Sequence, residues 1–118
     1  MIREMTGWKV VDKYRYSFGS CGNHSLHYRR GLLIVPKLQN SKIFFFKNKS
    51  DAARFGGCGI ILRCTAFNCT KIKYTSSEAF LDTDFWLARK NKKSIKNCVQ
   101  VSLAPKGTWV ADSIICFE

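Results

Sequence analysis

The sequence predicts an α+β domain: a mainly antiparallel sheet with one or two short helices packed on it. Three observations carry this. Short apolar runs rich in β-branched and aromatic residues recur along the chain, bounded by Gly, Pro and Asn. Between two of them lies KSDAARFGG, which reads as a short capped helix stopped by glycines. No stretch reaches the roughly 18 unbroken apolar residues of a membrane span. A chain of 118 residues, 46% apolar and 14% aromatic, is expected to fold as one domain over residues 1–118.

The elements follow in order. Residues 7–16, GWKVVDKYRY, read as a strand, and residues 18–23, FGSCGN, as turn chemistry. Residues 25–35 form a second extended region interrupted at Gly31, and Pro36 blocks its continuation as a central strand. Residues 42–46, KIFFF, make a third strand, joined to the second as an antiparallel hairpin through a loop at 37–41. Ser50 is a natural N-cap, Asp51 favours the positive end of the helix dipole, and Gly56 and Gly57 stop the helix. Residues 59–67 read as a buried strand and 71–75 as an edge strand. Part of 78–90, EAFLDTDFWLARK, reads as a helix. Residues 98–103 and 109–117 are closing strands around the Pro105-Lys106-Gly107 turn.

This order answers what the aromatic–glycine unit at 42–64 is for. GGCG follows a helix, whereas phosphate-cradling loops precede one, and neither GxxxxGK[ST] nor GxGxxG occurs. The unit reads as core.

Charge sets the expected partner. Twenty Lys and Arg against eight Asp and Glu leave a formal +12, with a pI near 9.7. That surplus favours polyanions and acidic surfaces. Five basic residues fall in the eight positions from Arg89 to Lys96: Arg89, Lys90, Lys92, Lys93 and Lys96. Tyr28, Arg29 and Arg30 form a second group, and Lys42, Lys47 and Lys49 a third beside the phenylalanines. Lys and Arg neutralise phosphates and release counterions, and Tyr14, Tyr16, Tyr28 and Tyr74 would offer faces for unpaired bases. No helix-turn-helix, zinc-finger or RNA-recognition signature accompanies them.

Six cysteines, at positions 21, 58, 64, 69, 98 and 116, permit about 15 pairings. The opening MIREMTGWKV has no apolar leader, so a cytoplasmic chain with reduced thiols is expected, several of them acting as small buried hydrophobes. Cys21, His24, Cys64 and Cys69 would make one tetrahedral zinc set, but no CxxC pair supports it, and no metal or other cofactor is expected. A Cys21 nucleophile paired with His24 or His27, its thiolate stabilised by Arg29 and Arg30, is the catalytic alternative. Asp82 and Asp84 form an isolated Asp-x-Asp. None of these fixes a mechanism, and the chain reads as no enzyme.

Several short motifs resemble those of small, mostly uncharacterised bacteriophage and prophage accessory proteins. They are the early Tyr28, Phe44 to Phe46 followed by Ala52 and Phe55, the strand Ile60 to Cys64, and PKGTWVADS at 105–113. The resemblance implies host takeover or counter-defence and transfers no catalytic residue. Tyr28-Arg29 followed by IFFFKNKSDAARF is also similar in order to the ADP-ribosyltransferase fold. That would imply a catalytic Glu on a late strand, where this chain has only Glu118.

The expected function is therefore non-enzymatic binding of nucleic acid through Tyr28, Arg29, Arg30, Arg89, Lys90, Lys92, Lys93 and Lys96. The alternatives are docking on an acidic host protein and binding of a small nucleotide through Arg29, Arg30, Arg54 or Arg63. No membrane partner is expected, and the oligomeric state stays open.

Overall fold

The computed structural model describes residues 1–17, 26–37, 41–57, 59–76, 86, 89–91 and 101–118. Its elements are β1 (Ile2–Val11), β2 (Leu33–Ile34), β3 (Ile43–Phe46), α1 (Lys49–Gly56), β4 (Ile60–Lys71), β5 (Tyr74–Ser76), β6 (Val101–Leu103), β7 (Thr108–Ala111) and β8 (Ser113–Cys116). The main sheet runs β1-β3-β7-β4-β8-β2, and β1 also pairs with β4. That extra pairing joins β1, β3, β7 and β4 into a closed four-strand ring, with β8 and β2 extending from it. β5 and β6 form a separate two-stranded ribbon.

The predicted layered α+β sheet is thus corrected to a mostly β fold around a small closed barrel. Two long strands cause the closure. β1 and β4 pair antiparallel from Ile2↔Cys69 to Val11↔Ile60, and β1 turns its other edge to β3 at Trp8↔Phe46. Long, strongly twisted strands curl until their edges meet, which removes open edges. Both strands extend beyond their predicted limits, β1 through Ile2–Thr6 and β4 through Asn68–Lys71.

The predicted hairpin between the second and third strands does not form. β2 pairs with β8 and β3 with β7, on the same edge of one ribbon covering 108–116. Ile34 faces Ile114 and Ile43 faces Ala111, so nine residues advance against three and six are looped out. β2 and β3 therefore lie end to end along that ribbon. Pro36, which cannot donate to a ladder, falls in the looped-out stretch.

The single strand expected at 109–117 is likewise β7 and β8, split at Asp112. Both halves keep one register against β4, from Lys71↔Trp109 to Cys64↔Cys116. That register sets Asp112 opposite Asn68, whose φ of 55° is a left-handed conformation Asn tolerates well. Inward positions change parity at this point on both strands. Leu62, Cys64 and Ala66 give way to Cys69 on β4, and Ala111 gives way to Ile114 and Cys116 on the ribbon.

The barrel interior holds these residues with Val11, Tyr28, Ile43 and Phe45. Gly7 makes room for Phe45, because a Cβ there would collide with the edge of the Phe45 ring. Outside the ring, α1 lays Ala52 on Val10 and Phe46, with Trp8 and Ile61 alongside. The helix starts one residue before the predicted cap: its N-cap is Asn48, with no side-chain cap bond. Asp51 is buried and faces Gly107, where φ is +82° and any Cβ would collide with the Asp51 carboxylate. The PKG turn is thereby seated on the helix, with Lys47 N donating to the Gly107 carbonyl at 3.2 Å. Of residues 78–90 only Trp86, Arg89 and Lys90 are described, each with helical backbone. The predicted turn at 18–23 lies outside the described residues. Among the described residues no helix is long and apolar enough to cross a membrane.

Candidate nucleic-acid interface

The turn after β1 is built by Asp12. Its carboxylate Oδ1 accepts from the backbone N–H of Tyr14 at 2.8 Å and of Tyr16 at 2.9 Å, while Arg15 N donates to the Asp12 carbonyl at 2.9 Å. A short acidic side chain closing its own turn in this way is the Asx pattern. It holds Tyr14 65% and Tyr16 41% exposed. Tyr16 bridges to His27 on the neighbouring segment, and the two rings stack at 4.5 Å and 21°. Arg29 Nε donates to His27 Nδ1 at 3.3 Å.

Arg30 sits beside the end of β8. It bridges to Cys116, and its Nε donates to the Phe117 carbonyl at 3.1 Å. Arg15 reaches the same strand end, donating from Nη2 to the Glu118 carbonyl at 2.6 Å and from Nε to the Tyr28 carbonyl at 2.7 Å. Arg29 and Arg30 stay exposed. This corner therefore combines two exposed guanidinium groups with a stacked aromatic pair.

The second cluster lies at the other end of β8. Lys42 forms an ion pair with Asp112, the residue that splits the ribbon. A cleft of about 470 Å³ opens there, lined by Ser41, Lys42, Trp86, Arg89, Lys90 and Asp112. Its floor is Trp86, 4% exposed, packed on Phe44 at 5.6 Å between ring centres and on Ile72 and Val110. Arg89 is half-buried, and the loss of water holds its pKa below the ordinary arginine value. A guanidinium stays charged under such conditions, so a partly dehydrated cation faces the cleft. Three cations meet one carboxylate, leaving an anion-favouring site.

The predicted residues divide accordingly. Arg29 and Arg30 stand at one end of β8, Arg89 and Lys90 at the other. Tyr28 belongs to the core: it is 1% exposed, its hydroxyl contacts Ser17 Oγ at 3.4 Å, and burial raises its pKa. It has no face left for a base. Lys92, Lys93 and Lys96 lie outside the described residues, as do Cys21, His24, Asp82 and Asp84. The third basic group comes apart: Lys42 joins the cleft, whereas Lys47 lies over Trp109 at 5.7 Å and Lys49 over Trp8 at 5.3 Å. Arg54, on α1, is 3.9 Å from Asp51. Of the imagined zinc set, Cys64 and Cys69 are buried in the barrel, and no group of three metal-binding side chains forms among the described residues. Glu118 accepts from Arg63 N at 3.0 Å.

Two polar features went unpredicted. Lys9 is buried inside the barrel, donating from Nζ to the Phe44 carbonyl at 2.8 Å and lying 5.2 Å above the Tyr28 ring. Asp112 anchors Lys42 at the cleft mouth. Lys9 shares its parity with Gly7 and Val11, but Trp8 and Val10 on the other parity are as apolar, so alternation gives no signal for it.

Searches against protein-family models, curated proteins and solved structures find no match to this chain.

Proposed function

We propose that this chain is a non-catalytic binder of single-stranded nucleic acid, engaged along β8. The observation that carries the reading is the placement of the two basic clusters at the ends of one strand. Arg30 is bridged to Cys116 and Lys42 is paired with Asp112. Those anchors are four residues apart, Asp112 to Cys116, about 13 Å at roughly 3.3 Å per residue. A few nucleotides of extended strand cover that length, and small barrels of the OB type engage about 4–16 nucleotides. The exposed Tyr16–His27 stack beside Arg29 supplies an aromatic surface for a base, which favours unpaired strands over duplex. The formal +12 adds long-range attraction. A role in phage-type host takeover or counter-defence rests on the sequence resemblance described above.

The test is a salt series with fluorescent single- and double-stranded DNA and RNA. Variants Arg29→Ala/Arg30→Ala, Arg89→Ala/Lys90→Ala and the quadruple combination run beside the parent. Each pair is expected to weaken single-strand binding and to flatten the log–log salt slope by about 1.4, at roughly 0.7 per phosphate contact. Absence of binding at low salt, or a quadruple variant that binds like the parent, overturns the reading.

A further inference from the structure

We propose that Cys64 and Cys116 form a two-electron oxidation site, closing to a cross-strand disulfide inside the barrel when a peroxide reaches them. The two residues are direct partners in the β4–β8 register. Phe117 N donates to the Arg63 carbonyl at 3.0 Å, so the adjacent pair is the hydrogen-bonded one and Cys64–Cys116 is of the non-hydrogen-bonded kind. In such pairs the Cα atoms stand about 4.5 Å apart, within the roughly 4.4–6.8 Å that a disulfide spans. Both side chains point inward and are fully buried, and both thiols are free. Cys69 is equally buried on the same strand, but its partner on β1 is Ile2. It has no second sulfur in register there.

The surroundings divide the labour. The neighbouring Cys116 sulfur and burial keep the Cys64 proton in place. The neighbouring Cys64 thiol, with the positive charges of Arg15 and Lys9 nearby, pulls Cys116 below the ordinary thiol value. Cys116 is therefore the attacking sulfur and Cys64 the resolving one. The Cys116 thiolate attacks one oxygen of hydrogen peroxide. The O–O bond breaks, hydroxide leaves and takes a proton to become water, and Cys116 is left as sulfenic acid. The Cys64 sulfur then attacks the Cys116 sulfur, the S–O bond breaks, and the Cys64 proton goes to the departing hydroxide as a second water. Two thiols are oxidised and one peroxide is reduced. Cys116 is the last residue of β8 and Phe117 beyond it is 45% exposed, so opening the strand end admits a small oxidant without unfolding the barrel.

The full native chain, incubated with hydrogen peroxide at neutral pH, is quenched with N-ethylmaleimide and mapped without reduction. The expected product joins the Cys64 and Cys116 peptides, forming about tenfold faster than any oxidation of Cys69. Cys64→Ser is expected to leave Cys116 as a dimedone-reactive sulfenic acid, whereas Cys116→Ser leaves Cys64 an unreacted thiol. Lys9→Met should slow the reaction several-fold. Mapping of the parent chain decides the matter even if a variant fails to fold. Cys64 and Cys116 both recovered as thiols, or either joined to another cysteine, overturns the proposal.

Discussion

Replacing Lys9 with methionine is expected to stabilise the fold at neutral pH and to lose that advantage as pH rises. The ammonium is inside the barrel, 9% exposed, with the Phe44 carbonyl as its hydrogen-bond acceptor. Burial lowers its pKa from 10.5 to about 8, against a smaller opposing pull from Cys64 and Cys116. Between those values the unfolded chain holds a proton that the folded chain has released, so stability rises with pH across the window from about 8 to 10.5. Below pH 8 the folded state carries the full cost of a dehydrated charge. At about 1.4 kcal/mol per pH unit, that cost is about 3 kcal/mol at pH 7 and about 1 kcal/mol at pH 9.5. Methionine has a similar length and no charge, but it gives up the bond to Phe44, worth about 1 kcal/mol. The variant should therefore be about 2 kcal/mol more stable than the parent at pH 7, with little difference at pH 9.5. Urea unfolding under reducing conditions, at several pH values between these two, measures both. Burial also raises the Tyr28 pKa, and the neighbouring Cys116 together with burial raises that of Cys64, so both chains lose stability in alkali, an effect the difference between them largely removes. A variant less stable than the parent at pH 7, or a gap that does not shrink with pH, would refute the reasoning.

Two further predictions test the barrel and the cleft separately. Gly7→Ala should cost about 1–3 kcal/mol by overpacking against Phe45; in urea, Gly7→Ala/Phe45→Leu should lose less than the two single losses combined. Asp112→Asn removes the carboxylate from the cleft lined by Lys42, Arg89 and Lys90. It is expected to tighten oligonucleotide binding several-fold at low salt and to leave urea stability within about 1 kcal/mol, since half-exposed ion pairs are weak.

The strands were legible from composition, because β-branched and aromatic runs such as IFFF and IILRC rarely do anything else. Their partners were not. A hairpin between neighbouring strands is the default expectation, yet here β2 and β3 share one edge of the 108–116 ribbon and never pair. Nothing in residues 33–46 states that the ribbon they join lies 62 to 82 residues further on, from Phe46↔Thr108 to Leu33↔Ile115. Closure was hidden for a similar reason. It depends on β1 and β4 running longer than their apolar segments suggest, through IREMT and NCTK, whose backbone pairs although their side chains are largely polar.

The site follows the same division between what a chain carries and where the fold puts it. The positive charge was countable, and Arg29, Arg30, Arg89 and Lys90 were named from their clustering. Their relation through β8 was not available, because Asp112 reads as one more polar residue in WVADSIICF. Its role, breaking the ribbon opposite Asn68 and holding Lys42 at the cleft, exists only in the paired register. Tyr28 misled for the opposite reason: a tyrosine between polar neighbours is compatible with a stacking platform, but its alternation also fits a core position. Lys9 shows why alternation alone cannot choose. In GWKVV both parities are apolar enough to bury, since Trp8 and Val10 pack beneath α1 while Gly7 and Val11 fill the barrel. Lysine would have voted for the outer face. The inner face won because Gly7 must admit Phe45, and its neighbours at spacing two go inward with it.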